Sequence, residues 1–337
     1  MQKLSGQACI SVVIAAYNAE QTISLAIQSS LAMDQVGEVI VVDDCSADRT
    51  VAIAHMASAD DPRLKIIQLE SNSGPAIARN RAIESATMPF IAILDSDDFF
   101  GPERFNTLLS DQDDWDFCAD NILFVDDLKS ADQYDKFETR TTRSCIIDFH
   151  TFVVGNISTR GQLRSELGFL KPVIRRSFLV ENGIKYPEDC RLGEDFIFFT
   201  EALAKGARFR LKEACGYFAL HRINSLSGAH TTADLQALDS AIHDLFGRLE
   251  LSDENRLALS QYKRSIEMRI EHREVLETRV EKGLVAGLGA LARRPTVAIA
   301  IAQDRLNPIR MEIAPQRLLI SEARFNALCQ SAKWQVS

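Results

Sequence analysis

The chain is predicted to be an α/β protein with a mostly parallel, doubly wound central sheet and a helical C-terminal extension. Short, nearly continuous apolar runs recur along the first hundred residues, as in strands that are buried on both faces of a parallel sheet. Segments with three- and four-residue apolar spacing separate these runs, so strand and helix alternate. Regular apolar spacing with many Glu–Arg pairs after Thr231 predicts the C-terminal helices.

The first part of the chain contains four predicted strands and the helices between them. Asn18 is a candidate N-cap for the first helix, with Gln21 completing a capping box. Pro75 is predicted to open a later helix, where its missing N–H does no harm. The predicted strands are 10–16, 39–43, 64–69 and 90–94, and the first helix is predicted at 20–32.

The middle and the end of the chain have different patterns. Segment 126–144 is polar and acidic without a clear period and is expected to form a surface loop. From 145 to 230 short helices and strands are expected to alternate. Long helices are predicted at 232–251 and 253–276, because apolar residues recur there at helical spacing.

Composition limits the possible functions. With 337 residues, 46% of them hydrophobic, the chain can bury one large core or two moderate ones. A net charge of −9 argues against broad nucleic-acid binding, which relies on Lys and Arg. The same charge fits either a site that gathers carboxylates or a solubilising surface. The seven cysteines include no CxxC pair, so scattered thiols in a reducing cytoplasm are expected.

No segment is expected to cross a membrane. The first eight residues lack the apolar run of a signal peptide. The apolar stretch 284–302 is interrupted by Arg293, Arg294 and Pro295, and each half is far shorter than the roughly 20 residues of a spanning helix. Interfacial membrane attachment and a buried hairpin both remain open for this stretch. The C-terminal helices can likewise pack on the rest of the chain or form a homodimer.

Polar residues follow three of the predicted strands, at 15–18, 43–46 and 95–98. The carboxyl ends of parallel strands meet at one edge of a sheet, where ligands bind. Asp95, Asp97 and Asp98 repel one another and favour a cation, and Mg²⁺ or Mn²⁺ prefers such oxygens. An exposed acidic turn that caps a helix near Pro102 is the alternative.

Three further motifs contain candidate site residues. Arg79 lies in a helix that starts after Gly74, where it can contact phosphate or simply face solvent. Glu194 and Asp195 open a helix, where they can cap it or provide a general base. His221 can be a metal ligand, with Arg222 on a diphosphate, although a structural histidine is the commoner case.

Taken together, five motifs resemble glycosyltransferase family 2, whose members have the GT-A (nucleotide-diphospho-sugar transferase) fold. They lie at 11–18, 41–48, 72–80, 94–98 and 193–195. The resemblance covers 10–227. It implies an inverting, metal-dependent enzyme that uses a nucleotide diphosphate sugar, usually a UDP-sugar, with Mg²⁺ or Mn²⁺ as cofactor.

The resemblance also implies roles for individual residues. Asp195 would activate the acceptor hydroxyl with Glu194 beside it, and Asp97 and His221 would hold the metal. The donor would contact residues of the strand ends and neighbouring motifs, namely Ala15, Tyr17, Asn18, Glu20, Asp43, Arg79, Asp95 and Arg222. Ala15 stands where the family often has proline, but the contact there is largely through the backbone.

The chain is predicted to have three parts: a nucleotide-sugar-binding half (1–125), an acceptor-binding and catalytic half (126–230), and a helical extension (231–337) that lies outside the resemblance. No Gln-x-x-Arg-Trp element is present, which favours transfer of single sugars over polymerisation. Segments 168–176 and 222–227 look like those of exopolysaccharide, succinoglycan-type transferases. UDP-glucose is the expected donor because it is frequent within the family, and a saccharide or lipid-linked oligosaccharide at the inner face of the membrane is the expected acceptor.

Rival functions conflict with individual motifs. A sugar nucleotidyltransferase would usually have a glycine-rich loop after the first strand, and segment 15–20 has no glycine. A non-catalytic nucleotide-sugar-binding relative would be expected to lack Asp97 or Asp195, and both are present. A phosphoacceptor signalling domain could use Asp43 and Asp44 but would leave the later acidic motifs unexplained.

Overall fold

The first half of the chain is a parallel, helix-covered sheet. The structure, a computed structural model, describes residues 9–110, 115–125, 143–157, 167–220, 230–295, 297–298 and 317–331. Four strands pair in parallel in the order β3-β2-β1-β4, which confirms the predicted alternation of strand and helix. The elements are β1 (Ile10–Ala16), α1 (Ile23–Leu31), β2 (Val36–Asp43), α2 (Thr50–Ala57), β3 (Leu64–Gln68), α3 (Pro75–Ser85) and β4 (Phe90–Asp95). Pro75 opens α3 as predicted.

The second half extends the same sheet beyond β4. Its elements are β5 (Phe99–Phe100), α4 (Arg104–Leu108), β6 (Phe117–Val125), β7 (Ser144–Ile147), α5 (Phe149–Gly155), a 3-10 helix (Leu167–Phe169), β8 (Val173–Arg175), α6 (Arg176–Asn182), α7 (Glu194–Ala204) and β9 (Phe209–Leu220). The strand order continues β4-β8-β6-β9-β5, with β7 on β9. These pairs are antiparallel except β6–β9. The sheet is therefore mixed beyond β4. The sequence does not predict this change, because an apolar run does not reveal the direction of its strand.

The prediction that Asn18 caps the first helix is wrong. Helix α1 begins at Ile23, and its N-cap residue Thr22 makes no side-chain cap hydrogen bond. Asn18 has φ of 49° and instead accepts a hydrogen bond from the Ala47 N–H at 2.9 Å. Asparagine tolerates this left-handed conformation and here joins the loops after β1 and β2.

Aromatic packing fixes α7 on the sheet. The ring of Phe117 on β6 lies 6.2 Å from Phe198 and 6.0 Å from Phe199. On the opposite side of α7, the ring of Phe196 stacks on Tyr262, with the two ring centroids 3.8 Å apart. Burial of each such ring contributes roughly 1.5–3 kcal/mol. The first turn of α7 is therefore held in a fixed position against the sheet.

The first two C-terminal helices follow the prediction closely, and two further helices come after them in the described ranges. They are α8 (Thr232–Arg248), α9 (Asp253–Lys282), α10 (Leu284–Ala292) and α11 (Glu322–Ser331). A capping box of Thr231 and Asp234 starts α8. Gly283, with φ of 86°, turns the chain between α9 and α10. Helix α10 packs back on α9 so closely that a Cβ at Gly287 would lie 2.7 Å from Arg279 Cβ. The result is a tight helical hairpin.

The C-terminal extension also joins the sheet. Strand β10 (Arg317–Leu318) pairs antiparallel with β6, and α11 packs on β7. Within the described ranges no helix is long and apolar enough to cross a membrane. All seven cysteines are described, and all are free thiols, most of them buried. The predicted division of the chain into three functional parts, with boundaries at 125/126 and 230/231, stays a prediction.

Candidate active site

The carboxyl ends of β1, β2 and β4 meet at one edge of the sheet, as predicted. Ala15 lies between Val42 of β2 and Asp95 of β4, and Ala16 lies opposite Asp43. This register places the backbone of Ala15 beside the first acidic residue of the turn that follows β4. The edge therefore brings a backbone surface and two carboxylates into one region.

Asp43 and Asp44 have different environments. The Ser46 N–H donates to Asp43 Oδ2 at 3.1 Å, whereas the buried Asp43 Oδ1 has no hydrogen-bond partner among the described residues. Both oxygens of Asp44 accept backbone N–H groups, from Ser73 at 2.7 Å and Gly74 at 2.8 Å. Asp44 therefore joins β2 to the start of α3. A buried polar atom without a partner is unusual and indicates a missing donor beside Asp43.

The loop after β1 is fastened to the loop after β2. The Asn18 N–H donates to Ser46 Oγ at 2.9 Å, and Glu20 Oε2 accepts from the Arg49 N–H at 3.1 Å. Tyr17, which precedes Asn18 in this loop, is 49% exposed beyond the end of β1. Asn18 and Glu20 thus have a structural role, and direct contact of Tyr17, Asn18 and Glu20 with a donor stays a prediction.

Arg79 is a buried cation that joins the two acidic motifs. Its Nη2 lies 2.8 Å from Asp95 Oδ1, and its Nη1 lies 2.9 Å from Glu194 Oε1. The same Nη1 lies 3.8 Å from Asp195 Oδ1. The guanidinium carbon lies 5.4 Å from the ring centroid of Tyr186. The alternative of a solvent-facing Arg79 is wrong, because α3 turns this face toward the sheet edge.

Lys171 is a second buried cation in the same cluster, and the sequence prediction missed it as a site residue. It lies between the 3-10 helix and β8. Its Nζ lies 3.1 Å from Asp95 Oδ2 and 2.9 Å from Asp195 Oδ2. The signal available in the sequence was a single lysine within the otherwise uncharged and mostly apolar segment 167–174.

The charges of this cluster shift the pKa values of its members. Burial alone would raise the pKa of Asp95, but the charges of Lys171 and Arg79 outweigh it and hold that pKa well below its usual range. Burial would likewise lower the pKa of Lys171, but Asp195 and then Asp95 raise it above its usual value. Burial, with the charge of Asp195, raises the pKa of Glu194. Asp95 and Lys171 are therefore charged at neutral pH.

Gly193 gives the first turn of α7 its position. Its φ of 73° is in the left-handed region, and an added Cβ would lie 3.1 Å from Leu238 Cδ1. Only glycine adopts this conformation freely at such a close approach. The side chains of Glu194 and Asp195 therefore leave the start of α7 in the direction of Arg79 and Lys171.

The acidic turn after β4 separates its carboxylates. Asp98 points inward, accepting from the Tyr217 hydroxyl at 2.7 Å and the Leu220 N–H at 3.0 Å. Burial and the charges of Asp95 and Asp97 raise the pKa of Asp98 well above its usual value. The Asp95 N–H donates to the Tyr217 hydroxyl at 3.2 Å, so the turn is fixed at both ends. The alternative of a fully exposed acidic turn is therefore wrong.

The described residues fit a metal that is shared with a substrate rather than one enclosed by protein. Asp97 is half-buried in the acidic turn. In the described ranges, no group of three or more His, Cys, Asp or Glu side chains is arranged so that it could hold a metal ion. Mg²⁺ is usually held by one or two carboxylates together with substrate phosphates. His221 and Arg222 lie outside the described residues.

Comparison with known proteins agrees with this geometry. Residues 11–160 match the profile of glycosyl transferase family 2. The succinoglycan biosynthesis protein ExoU of Rhizobium meliloti is 41% identical over 292 residues, which cover 87% of this chain and 85% of ExoU. ExoO of the same organism is 36% identical over 222 residues, covering 65% of this chain and 62% of ExoO.

Solved structures share the fold. Staphylococcus aureus TarS 1–349 in complex with UDP-GlcNAc has a TM-score of 0.64 at 18% identity, covering 92% of this chain and 95% of TarS 1–349. The mannosyltransferase PcManGT from Pyrobaculum calidifontis, in complex with GDP-Man and Mn²⁺, has a TM-score of 0.52 at 16% identity. The alignment covers 89% of this chain and 80% of PcManGT. The predicted fold is confirmed.

Proposed function

This chain belongs to glycosyl transferase family 2, and on that premise we propose that it transfers one sugar from a UDP-sugar to a saccharide or lipid-linked oligosaccharide. We propose UDP-glucose as the donor and exopolysaccharide synthesis of the succinoglycan type as the setting. The names of ExoU and ExoO, both succinoglycan biosynthesis proteins, support the setting. The TarS complex with UDP-GlcNAc supports a UDP-linked donor.

One observation carries the proposal. The buried cations Arg79 and Lys171 bring the partly buried carboxylates of Asp195 on α7 and Asp95 on β4 into a single cluster. A carboxylate that activates an acceptor thus lies beside the strand end at which a nucleotide would bind. A sheet edge that served only to bind nucleotide would not need a second carboxylate pair, supplied by another helix, in this cluster.

The donor is proposed to contact the edge through the loops after β1 and β2. Asp43 Oδ1 is buried and without a partner among the described residues, which suits the N–H of a nucleobase. Tyr17 follows Ala16, which lies opposite Asp43, and its half-exposed ring is available to the base. The backbone of Ala15 and the carboxylate of Asp95 would border the ribose, and Arg222 the diphosphate.

The proposed reaction is a single displacement. The acceptor oxygen attacks the anomeric carbon while Asp195 takes the hydroxyl proton. The bond between that carbon and the diphosphate oxygen breaks, and the diphosphate leaves with the electron pair. Attack opposite the leaving group inverts the anomeric centre. Glu194 remains bound to Arg79 at 2.9 Å and keeps the first turn of α7 in place.

A divalent cation is proposed to be held by Asp97 and His221. When bound, Mg²⁺ or Mn²⁺ would neutralise the charge that develops on the diphosphate. The family resemblance supports Asp97 in this role, and its side chain is half-buried in the acidic turn that follows β4.

The α9–α10 hairpin is proposed to lie against the inner face of the cell membrane, which would give access to a lipid-linked acceptor. Its tip exposes apolar side chains, with Val280 85% and Val285 84% exposed. Arg293 is exposed after α10 and would face anionic headgroups, whereas Arg294 pairs with Glu274 at 2.7 Å. Flotation with anionic liposomes tests this, and a Val285→Asp variant should lose binding. Flotation unaffected by that change would contradict it, and a dimer dissociated by Val285→Asp would favour a homodimer interface.

Calorimetric titration of UDP with and without Mn²⁺ tests the proposed function. We expect Mn²⁺ to strengthen UDP binding, and Asp97→Ala to remove that gain. UDP release from a panel of UDP-sugars should be abolished by Asp195→Asn while UDP binding is kept. Absence of UDP binding, or turnover that survives Asp195→Asn, would contradict the proposed function.

A further inference from the structure

Lys171 occupies a central position in the cluster. Its side chain is only 7% exposed, and its ammonium lies within 3.1 Å of an oxygen of Asp95 and 2.9 Å of an oxygen of Asp195. These carboxylates belong to different elements, β4 and the first turn of α7. Through Lys171, the strand that ends at the donor edge is in direct contact with the helix that carries the proposed base.

The backbone of Lys171 is itself fixed by a buried ion pair. Arg104 Nη2 donates to the Lys171 carbonyl at 2.5 Å and to Asp120 Oδ1 at 2.9 Å. The Gly216 N–H donates to Asp120 Oδ2 at 2.7 Å. A Cβ at Gly216 would lie 2.7 Å from Arg104 Cβ, so glycine is required there. The backbone of Lys171 is thus anchored, through Arg104, to β6 and β9.

We propose that Lys171 is a positioning residue for the acceptor-activating carboxylate, holding Asp195 in place through its Oδ2. The inference rests on the proposed function, which makes Asp195 the base. With Oδ2 bound by Lys171, the other oxygen, Oδ1, is the one that accepts the acceptor proton. Arg79 lies 3.8 Å from Oδ1 and is already bound to Asp95 and Glu194, so it does not replace Lys171.

Two properties of the site distinguish positioning from simple charge neutralisation. A neutralising cation needs only to be near, and Arg79 already supplies one positive charge to the cluster. A positioning cation must fix the orientation of a carboxylate, because a displacement of about 1 Å from the productive geometry can cost about 100-fold in rate. Loss of Lys171 should therefore lower kcat much more than it raises KM for the donor.

The kinetic test compares Lys171→Met, Lys171→Arg and a matched control, Lys185→Met. Lys185 is an exposed lysine that pairs with Glu84 at 2.7 Å. With the UDP-sugar that the wild type turns over best, UDP release should fall about 100-fold in kcat for Lys171→Met. Lys171→Arg should restore kcat to within about tenfold of wild type, because it keeps the charge and hydrogen bonds to both carboxylates. Lys185→Met should match the wild type.

A spectroscopic test does not depend on turnover. Two-dimensional ¹H–¹⁵N spectra of lysine ammonium groups should contain a slowly exchanging resonance that Lys171→Arg removes and Asp195→Asn shifts. Failure of the wild type to bind UDP would count against the proposed function alone. The resonance would still support the contact of Lys171 with Asp195. The inference would be overturned if the resonance is absent or does not shift in Asp195→Asn. It would also be overturned if the fall in kcat of Lys171→Met only matches the fraction of that variant that is unfolded.

Discussion

Replacing Asp43 by asparagine should change which nucleobase the protein prefers. The Ser46 N–H holds Asp43 Oδ2 at 3.1 Å, and Oδ1 is buried without a partner among the described residues. In Asp43→Asn the amide oxygen can keep the Ser46 bond, which directs the NH₂ group to the place of Oδ1. An acceptor is thereby replaced by a donor with little change in shape.

The magnitude follows from the lost hydrogen bond. Uracil presents an N–H at ring position 3, whereas cytosine presents an acceptor nitrogen there. A hydrogen bond to a charged group contributes about 1.5–3 kcal/mol, so UDP affinity should fall about 10- to 150-fold. CDP affinity should fall less or rise, so the preference for UDP over CDP should shrink or reverse. Calorimetric titration of both nucleotides measures the change.

Asp44→Asn is the matched control, because Asp44 accepts from Ser73 and Gly74 and faces no ligand in this proposal. It should lower the free energy of unfolding by about 1.5–3 kcal/mol and leave the UDP-to-CDP preference unchanged. An Asp43→Asn variant that keeps the wild-type preference would refute the assignment of Asp43 to the base.

Two further predictions concern stability and the position of α7. Burial would raise the pKa of Glu38, but hydrogen bonds, chiefly from Lys65, lower it from 4.5 to about 2. One pKa unit is worth about 1.4 kcal/mol, so this carboxylate adds about 3 kcal/mol of stability above pH 4.5, which is lost as the pH falls toward 2. Denaturant unfolding should show Glu38→Gln losing that amount at pH 7 and less at pH 3, and equal losses at both would contradict it. Gly193→Ala should cost about 1–2 kcal/mol through its left-handed φ and lower kcat, because its Cβ would also press on Leu238. Gly183→Ala, with φ of 61° and nothing within 4 Å, should cost similar stability and leave kcat unchanged in the UDP-release assay.

The local patterns of the sequence predicted the parallel half of the fold well. A strand buried on both faces leaves an apolar run that needs no tertiary information, and β1 was predicted with its observed bounds. The antiparallel half was less accessible, because a three-residue strand such as β8 has no period to detect. Asn18 was misassigned because its partners, Ser46 and Ala47, lie in another loop and are adjacent only after the sheet forms.

The site was predictable only in part for the same reason. Asp95, Glu194 and Asp195 were chosen from motifs that are contiguous in the chain. Lys171 is not part of a motif, and its importance comes from reaching two carboxylates that are distant in sequence. The acidic residues of the turn favour a cation, and their sequence alone predicts a metal ion. The structure adds two cations of the protein itself, Arg79 and Lys171, which leaves a narrower role for the proposed metal.

That narrower role leads to a prediction about metal binding alone. Asp95 is bound by Arg79 and Lys171, and Asp98 by Tyr217 and a backbone N–H. A cation held by Asp97 and His221, as proposed, would take the rest of its coordination from the diphosphate and water. Free Mn²⁺, measured by electron paramagnetic resonance, should therefore bind weakly to the protein alone and much more tightly once UDP is present. Uridine, which lacks the diphosphate, should not produce this gain. Tight Mn²⁺ binding without nucleotide, or an equal gain with uridine, would show that the protein itself encloses the metal.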